Sequence, residues 1–234
     1  MQVEVPSYAR QAFTDQLRAL EHDLLDMGSR AEQMVAHAVD SLCKLDPALA
    51  MTVILKDDEI DERDLDIENR CIRLLALQSP AASDLRVIGT VMKMITDIER
   101  IGDLAVDIAK IALKVEKEFG EPDFIDIPRI GSVARSMLRD SLEAFVKHDL
   151  SVVQQVIERD EEVDDLYRQL REQIFENMKA NPSQVVTDGW LFLAIHHLER
   201  IADHAVNIAE RVSFMVTGEF KQLVDSHRSD KPEA

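Results

Sequence analysis

The chain has 234 residues, of which 46% are apolar, so it is long enough to bury one or two hydrophobic cores. Asp and Glu total 45 against 27 Lys and Arg, and the formal charge of −18 disfavours nucleic acid and anionic lipid surfaces as partners. The 2 cysteines are too few for a disulfide framework, and the longest apolar run, 190–195, is shorter than the roughly 18 residues that a membrane span requires. No signal-like segment opens the sequence, and we expect a cytoplasmic protein.

Few glycines, few aromatic residues and no strand-like run predict an all-α protein. Prolines and helix-capping residues divide the chain into six long helices. The first three are expected from Ser7 to about Lys44, from Pro47 behind the N-cap residue Asp46 to about Gln78, and from Pro80 to about Phe119. The other three are expected from Pro128 to a break at 148–149, from there to Asn181, and from Ser183 to about 222.

The third and sixth of these helices contain similar stretches, 94–112 and 194–212. At a separation of 100 positions they share Glu99/Glu199, Arg100/Arg200, Ile101/Ile201, Asp103/Asp203, Ala105/Ala205, Val106/Val206, Ile108/Ile208 and Ala109/Ala209. Repetition of this kind indicates that one supersecondary unit has been duplicated within the chain. With three long helices and short connections in each half, the sequence predicts two antiparallel three-helix bundles in tandem. The expected limits are 7–119 for the first bundle, 120–127 for a linker, 128–222 for the second bundle and 223–234 for a polar tail.

Acidic or amide residues recur every four positions in both copies, and this spacing places them in one row on a helix. The rows are Glu99, Asp103 and Asp107 in the first copy and Glu199, Asp203 and Asn207 in the second. The second helix of each half carries a further acidic row, with Asp57 and Asp61 matching Asp160 and Asp164. In the first half, that row falls between two apolar rows, one from Ile60 to Leu74 and the other containing Leu65 and Ile72. This pattern predicts that the carboxylates lie where two helices meet.

Two interpretations of these rows remain open. Asp and Glu opposite a core-facing stripe usually form a solvated surface. Stacked like charges repel each other, however, and a bound cation would relieve that repulsion. Oxygen ligands suit hard cations such as Mg²⁺ and Mn²⁺, and carboxylate-rich helical bundles also hold iron.

Histidines add a weaker signal for a metal site. His196 shares a helix face with Glu199 and Asp203 and is a candidate ligand for a transition metal, although a surface or interhelical role is the commoner one. The sequence contains no HExxH, Glu-x-x-His, glycine-rich phosphate loop or GxSxG motif. A carboxylate-bridged di-metal oxidase is therefore disfavoured, and we predict no catalytic and no cofactor-binding residues.

Three segments resemble the PhoU family of bacterial phosphate-uptake regulators: SPAASDLR (79–86), LERIADHAVNIAE (198–210) and the paired ERIGD and ERIAD segments. The resemblance covers roughly residues 8–220. It implies two three-helix bundles that hold metal ions or multinuclear metal clusters on their surfaces. The family motif, together with the doubled acidic rows, predicts the ligands Asp57, Asp61, Glu99, Asp103 and Asp107 in the first half and Asp160, Asp164, Glu199, Asp203 and Asn207 in the second.

The same resemblance implies a function and partners. It suggests a metal-binding adaptor (Mg, Mn, Fe or Zn) between the phosphate-specific ABC transporter, through its ATPase component, and a sensor histidine kinase. Such a protein negatively regulates phosphate uptake and the phosphate-starvation response, forms a homodimer, and reaches the membrane only through its partners. The alternative is a structural helical scaffold or interaction protein whose acidic rows bind no metal.

Overall fold

A computed structural model describes residues 7–78, 80–119 and 126–219. Within these ranges every regular element is a helix and none is a strand, which confirms the predicted all-α class. None of the helices in these ranges combines the length and apolar composition needed to cross a bilayer. Most of the predicted linker, 120–125, and the predicted tail, 223–234, fall outside the described residues.

Each repeat of the sequence forms its own set of helices. In the first repeat these are α1 (Ser7–Lys44), α2 (Pro47–Leu55), α3 (Asp57–Gln78) and α4 (Ala82–Phe119). In the second they are α5 (Ile127–Lys147), α6 (Leu150–Ala180) and α7 (Val185–Thr217), with a 3₁₀ turn at Pro182–Gln184 before α7. Both α1 and α4 have 38 residues, which corresponds to a length of about 57 Å at 1.5 Å per residue.

Local sequence signals fix several helix ends. Asp46 accepts a hydrogen bond from the Leu49 N–H at 3.0 Å, and Asp149 accepts one from the Ser151 N–H at 2.8 Å, so each satisfies an N–H that its helix leaves unpaired. At the other ends of helices, α7 stops at Gly218, whose φ of 74° is the left-handed conformation that glycine adopts without a Cβ clash.

The second predicted helix is interrupted at Lys56. Its backbone N–H bonds to the Val53 carbonyl, which closes α2 with a tight turn, and α3 starts at the next residue. Three carboxylates, Asp57, Asp58 and Glu59, occupy the first turn of α3. Negative charge is favourable at a helix N-terminus because the N–H groups there carry partial positive charge. A new helix start at Asp57 is therefore more favourable for these side chains than an uninterrupted helix.

The two repeats form the predicted antiparallel three-helix bundles. In the first, α1, α3 and α4 surround the core while the short α2 packs on α1 and α4; in the second, α5, α6 and α7 pack together. The duplicated helices turn the same apolar positions to the cores, since Ile98, Ile101 and Ile108 of α4 are buried, as are Ile201 and Ile208 of α7.

The bundles pack against each other mainly through α4 and α7, which run antiparallel. Three contacts follow in opposite order along the two helices: Arg86 Nε donates to the Met215 carbonyl at 3.2 Å, Asp97 Oδ1 lies 2.9 Å from His204 Nδ1, and Lys114 Nζ lies 3.9 Å from the centre of the Trp190 ring. We call this contact surface the α4–α7 interface. It relates the duplicated helices by an approximate twofold axis.

A second contact between the bundles, of α1 with α5, depends on two glycines. A Cβ at Gly28 would lie 2.5 Å from Leu142 Cδ1, and a Cβ at Gly131 would lie 2.8 Å from Val39 Cγ2. The two glycines are 103 positions apart, and so are Val39 and Leu142. Gly28 and Gly131 are therefore equivalent positions of the two repeats, and each accommodates a branched side chain of the other repeat, Leu142 and Val39 respectively. The close approach of α1 and α5 therefore follows the same approximate twofold axis.

Replacing Gly131 with alanine tests this contact. The new methyl group would overlap the β-branched Val39 side chain, which has little rotamer freedom, and overpacking of this kind costs about 1–3 kcal/mol. Alanine favours the helix by only about 0.5–1 kcal/mol. We therefore expect a net loss of about 1–2 kcal/mol in the free energy of unfolding, measured by urea denaturation.

Gly89→Ala is the matched control, because a Cβ at Gly89 would have no atom within 4 Å. That variant should be as stable as the unmodified protein or slightly more stable. Equal stability of Gly131→Ala and Gly89→Ala would contradict the proposed close packing of α1 on α5.

Candidate metal centres

Five carboxylates of α3 and α4 form what we call the first acidic centre: Asp57, Asp61, Asp64, Glu99 and Asp103. Burial raises the pKa of Asp57, and the charges of Asp61 and Asp103 raise it further. The pKa of Glu99 is likewise raised by burial and then by the charge of Asp103, with contributions from Asp61 and Asp64. The structure thus brings four of the sequence-predicted residues together and adds Asp64, whose pKa is raised by burial and then by the charges of Glu68 and Asp61.

The equivalent place between α6 and α7 holds the second acidic centre: Asp160, Asp164, Glu199 and Asp203. Burial, followed by the charges of Asp164 and Asp203, raises the pKa of Asp160 to about 7. Burial and the charges of Asp203, Asp164 and Asp160 also raise the pKa of Glu199 to about 7. Two carboxyl groups of this centre therefore retain protons close to neutral pH.

Asp107 and Asn207, the last predicted residue of each row, lie elsewhere. The Asn207 side-chain amide donates to Asp97 Oδ1 of α4 at 3.3 Å. Asp107 forms an ion pair with Lys110 at 3.2 Å, and its charge acts on His197 of α7. Asn207 is thus directed to the α4–α7 interface, whereas Asp107 pairs with Lys110 on its own helix. The row of three drifts around the helix, so its last member leaves the face that the first two share.

The surroundings of the first centre differ from the prediction in one respect. Of the two apolar rows expected beside its α3 carboxylates, Ile60 and Ile67 are buried as expected. In the other row, Leu65 is 58% exposed and Ile72 is 51% exposed. No further helix of the described chain covers this side of α3, so the acidic row lies at the edge of the α3–α4 contact and remains accessible to ions from solvent.

The two centres also differ chemically. His196 Nδ1 lies 3.3 Å from Glu199 Oε2, although the two atoms are not oriented for a hydrogen bond. Burial, followed by the charge of Arg200, lowers the pKa of His196, so the imidazole is neutral near pH 7 and has a lone pair available for a metal. The equivalent residue in the first repeat is Thr96. The first centre thus offers oxygen donors only, whereas the second has an imidazole next to its carboxylates.

Asp97 and Arg86, two α4 residues at the interface of the repeats, were not predicted from the sequence to be functional. Asp97 contacts His204 and Asn207 of α7, and Arg86 Nε donates to the Met215 carbonyl in the last turn of α7. The sequence offered one indication that Asp97 matters, because Asp97 aligns with His197 and both lie beside the duplicated motif. The sequence separation of over 100 residues gave no indication, however, that these side chains meet.

Metal ions fit the acidic centres on two observations. Asp64 Oδ1 and Glu199 Oε2 are buried and accept no hydrogen bond from a described group. Such atoms carry a desolvation cost that a cation offsets. Across the described ranges, however, no three carboxylate, imidazole or thiol groups are already arranged to bind one ion. Since like charges repel, the side chains must turn toward each other when a cation enters.

The fold and its acidic centres together define a class: an all-helical protein of two related bundles, each with a carboxylate cluster between its last two helices. The sequence profile of the PhoU domain matches this chain twice, at residues 24–112 and 127–212. The chain therefore belongs to the PhoU family.

Individual relatives agree over almost the full length. A Clostridium acetobutylicum protein named phosphate-specific transport system accessory protein PhoU homolog is 37% identical over 92% of this chain and 99% of its own. The crystal structure of PhoU from Pseudomonas aeruginosa superposes with a TM-score of 0.85 at 35% identity, covering 88% of this chain and 100% of that one. The phosphate transport system regulatory protein PhoU from Streptococcus pneumoniae superposes with a TM-score of 0.84 at 33% identity, covering 90% and 100%.

The raised pKa values of the second centre predict a pH dependence of stability. Because Asp160 and Glu199 bind protons more tightly in the folded state than in the unfolded state, their contribution is most favourable below about pH 4 and is lost as pH rises through about 7. Asp160→Asn removes one charge and keeps the shape. With chelator present, we expect this variant to be more stable than the unmodified protein near about pH 8 and to lose that advantage near about pH 4, as measured by urea denaturation.

Asp165→Asn provides the control, because Asp165 is a largely exposed residue of the same helix that pairs with Arg168, and such surface pairs contribute little. A loss of stability in Asp160→Asn near about pH 8 would show that the ionised carboxylate is stabilising, contrary to its raised pKa.

Proposed function

We propose that this protein is a cytoplasmic, non-catalytic negative regulator of phosphate uptake and of the phosphate-starvation response. The observation that carries the proposal is the similarity, over nearly the whole chain, to relatives named as accessory or regulatory proteins of phosphate transport. In this role it would contact the ATPase component of the phosphate-specific ABC transporter and a sensor histidine kinase. The strong negative charge supports regulation through proteins rather than through direct binding to DNA.

We further propose that both acidic centres bind metal ions. In the first, Asp57, Asp61, Glu99 and Asp103 would hold the ion, with Asp64 beside them; in the second, Asp160, Asp164, Glu199 and Asp203 would do so, with His196 at the edge. A bound cation supplies positive charge that neutralises the carboxylates. Because the ligands come from two helices, binding would fasten α3 to α4 and α6 to α7.

The donor types favour different metals in the two centres. Carboxylate oxygens alone suit Mg²⁺ or Mn²⁺, so the first centre favours a hard cation. The neutral His196 imidazole extends the choice in the second centre to iron or zinc. Proton competition also differs, because the pKa of about 7 of Asp160 and Glu199 means that metal entry releases protons near neutral pH.

An alternative function is a structural helical scaffold or interaction protein without metal. The distance between the carboxylates favours this alternative. In the ranges that the structure describes, no three of them are already arranged around an ion. The two functions make opposite predictions for divalent cations, because a scaffold with solvated acidic rows binds them only weakly and without dependence on particular carboxylates.

Calorimetric titration of chelator-treated protein with Mn²⁺ distinguishes the two. We expect saturable binding heats from the unmodified protein. The Glu199→Gln, Asp203→Asn double variant should lose the heat of the second centre, and the Glu99→Gln, Asp103→Asn double variant should lose the heat of the first. A matched control is Glu172→Gln, Glu176→Gln, which removes two carboxylates of α6 outside the centre. Identical heats from all four proteins would support the scaffold without metal.

The regulatory role is tested in the host cell. Deletion of the gene should raise alkaline phosphatase reporter activity in high-phosphate medium by about tenfold or more, because the kinase would no longer be held in its repressed state. Reintroducing the unmodified gene should restore repression. Reporter activity that stays repressed in the deletion strain, with no second family member encoded, would contradict a negative regulator.

A further inference from the structure

Gly189 of α7 has no explanation within the chain. It lies inside a helix, where glycine costs about 0.5–1 kcal/mol relative to alanine. A Cβ at this position would have no atom within 4 Å, so packing inside the protein does not require glycine there. The position is in contrast with Gly28 and Gly131, where a neighbouring side chain fills the space that glycine leaves. A glycine on an open helix surface permits the close approach of a second backbone.

Exposed apolar side chains surround Gly189. Val185 lies one turn before Gly189 and Leu193 one turn after it, so the three residues form a row at i, i+4 and i+8. Val185 is 42% exposed, Leu193 is 39% exposed, and Phe175 on the neighbouring α6 is 44% exposed. The Phe175 ring stacks on Phe192 at 5.7 Å between centroids. We call Val185, Gly189, Leu193, Phe175 and Phe192 the Gly189 surface.

Aromatic rings connect this surface to the second acidic centre. From Phe192 the contacts continue to Tyr167, 6.5 Å away, then to His196 at 6.1 Å from Tyr167, and His196 lies 3.3 Å from Glu199. Along α7, the distance from Val185 to Asp203 is about 27 Å at 1.5 Å per residue. One face of the second bundle is therefore apolar at one end and carries four carboxylates at the other, partly offset by Arg200.

The first repeat does not reproduce this surface. Lys93 occupies the position equivalent to Leu193, and Asp64 occupies the position equivalent to Tyr167. The aromatic row is thus present only in the second repeat. A second copy of this chain is a poor occupant, because it carries the same charge of −18. Complementarity requires apolar side chains at one end and positive charge at the other.

We propose that the Gly189 surface and the adjoining acidic centre of the metal-free protein bind an amphipathic helix of a partner protein, with apolar residues over Gly189 and Lys or Arg over the carboxylates, so that the helix and a cation compete for the second centre. The helix would be about 18 residues long to cover both ends. Gly189 lets the partner's backbone approach α7 closely, and the aromatic row gives a rigid wall for its apolar side chains. This inference deepens the proposed function, on which it rests, by assigning one partner contact to one surface.

The test uses two synthetic helical peptides of about 18 residues with the same apolar face. One peptide carries lysines and the other glutamates at the end that would face the acidic centre. Binding to the full chain, treated with chelator, is measured by fluorescence anisotropy. We expect the lysine peptide to bind at least about tenfold more tightly than the glutamate peptide. Equal affinity, or no binding of either peptide, would overturn the proposed partner class.

Gly189→Leu locates the contact. Leucine favours a helix more than glycine, and its Cβ has no atom of the protein within 4 Å here, so the variant should fold with equal or higher stability. It should nevertheless weaken binding of the lysine peptide by about tenfold or more, because its side chain occupies the space for the partner backbone. Leu193→Ser, which removes an apolar contact, should weaken binding in the same direction.

Gly89→Leu is the matched control, since it makes the same change at the equivalent, equally open position of the first repeat. It should leave peptide affinity unchanged. An unchanged affinity in Gly189→Leu, or an equal loss in Gly89→Leu, would overturn the assignment of the surface. Loss of a dimer in Gly189→Leu together with absent peptide binding would assign the surface to a second copy instead. The reporter test of the regulatory role is independent of all these outcomes.

Discussion

The antiparallel contact between α4 and α7 is the constraint on which the rest of the structure depends. Each of these helices packs against the other helices of its own bundle and also against its counterpart in the other repeat. Burial therefore extends around most of the helix, as the run Leu104, Ala105 and Val106 shows, since all three residues are buried although they point in different directions. Only a narrow strip of α4 and of α7 is left for charged residues.

That strip explains where the acidic centres lie. Glu99 and Asp103 of α4 meet the first turns of α3, where Asp57 and Asp61 project, and the second repeat reproduces this arrangement with α6 and α7. The helix interruption at Lys56 places Asp57 at the N-terminus of α3. The carboxylates are close enough to raise one another's pKa, and this costs stability once they ionise. Both repeats retain such groups at a cost in stability, a pattern that is typical of functional positions.

Much of this could be predicted from the sequence, because the relevant signals are local. Capping by Asp46, the separation of α5 from α6 at 148–149 and the apolar stripe of α4 depend on neighbouring residues or on helical periodicity. The acidic rows were found because the duplication repeats them. The interruption at Lys56 was missed because it involves no proline or glycine, only a preference of three carboxylates for a helix start.

The remaining features depend on residues far apart in the chain, which periodicity does not reveal. Asn207 aligns with Asp107 in a regular row, yet its amide bonds to Asp97 across the repeats. Gly28 and Gly131 resemble ordinary helix-weakening residues until Leu142 and Val39 are placed against them. Leu65 and Ile72 fit an apolar row but are exposed, because no described helix covers that face of α3. Each case needed the relative placement of helices from different parts of the sequence.

The central claim is that paired carboxylates of two neighbouring helices form a cation site in each repeat. Anomalous diffraction from crystals of the full chain grown with Mn²⁺ tests it most directly. We predict anomalous peaks between α3 and α4 at Glu99 and Asp103, and between α6 and α7 at Glu199 and Asp203, with carboxylate oxygens at about 2.0–2.6 Å. Well-ordered crystals whose carboxylates are all surrounded by water, with no anomalous peak at either place, would contradict the claim.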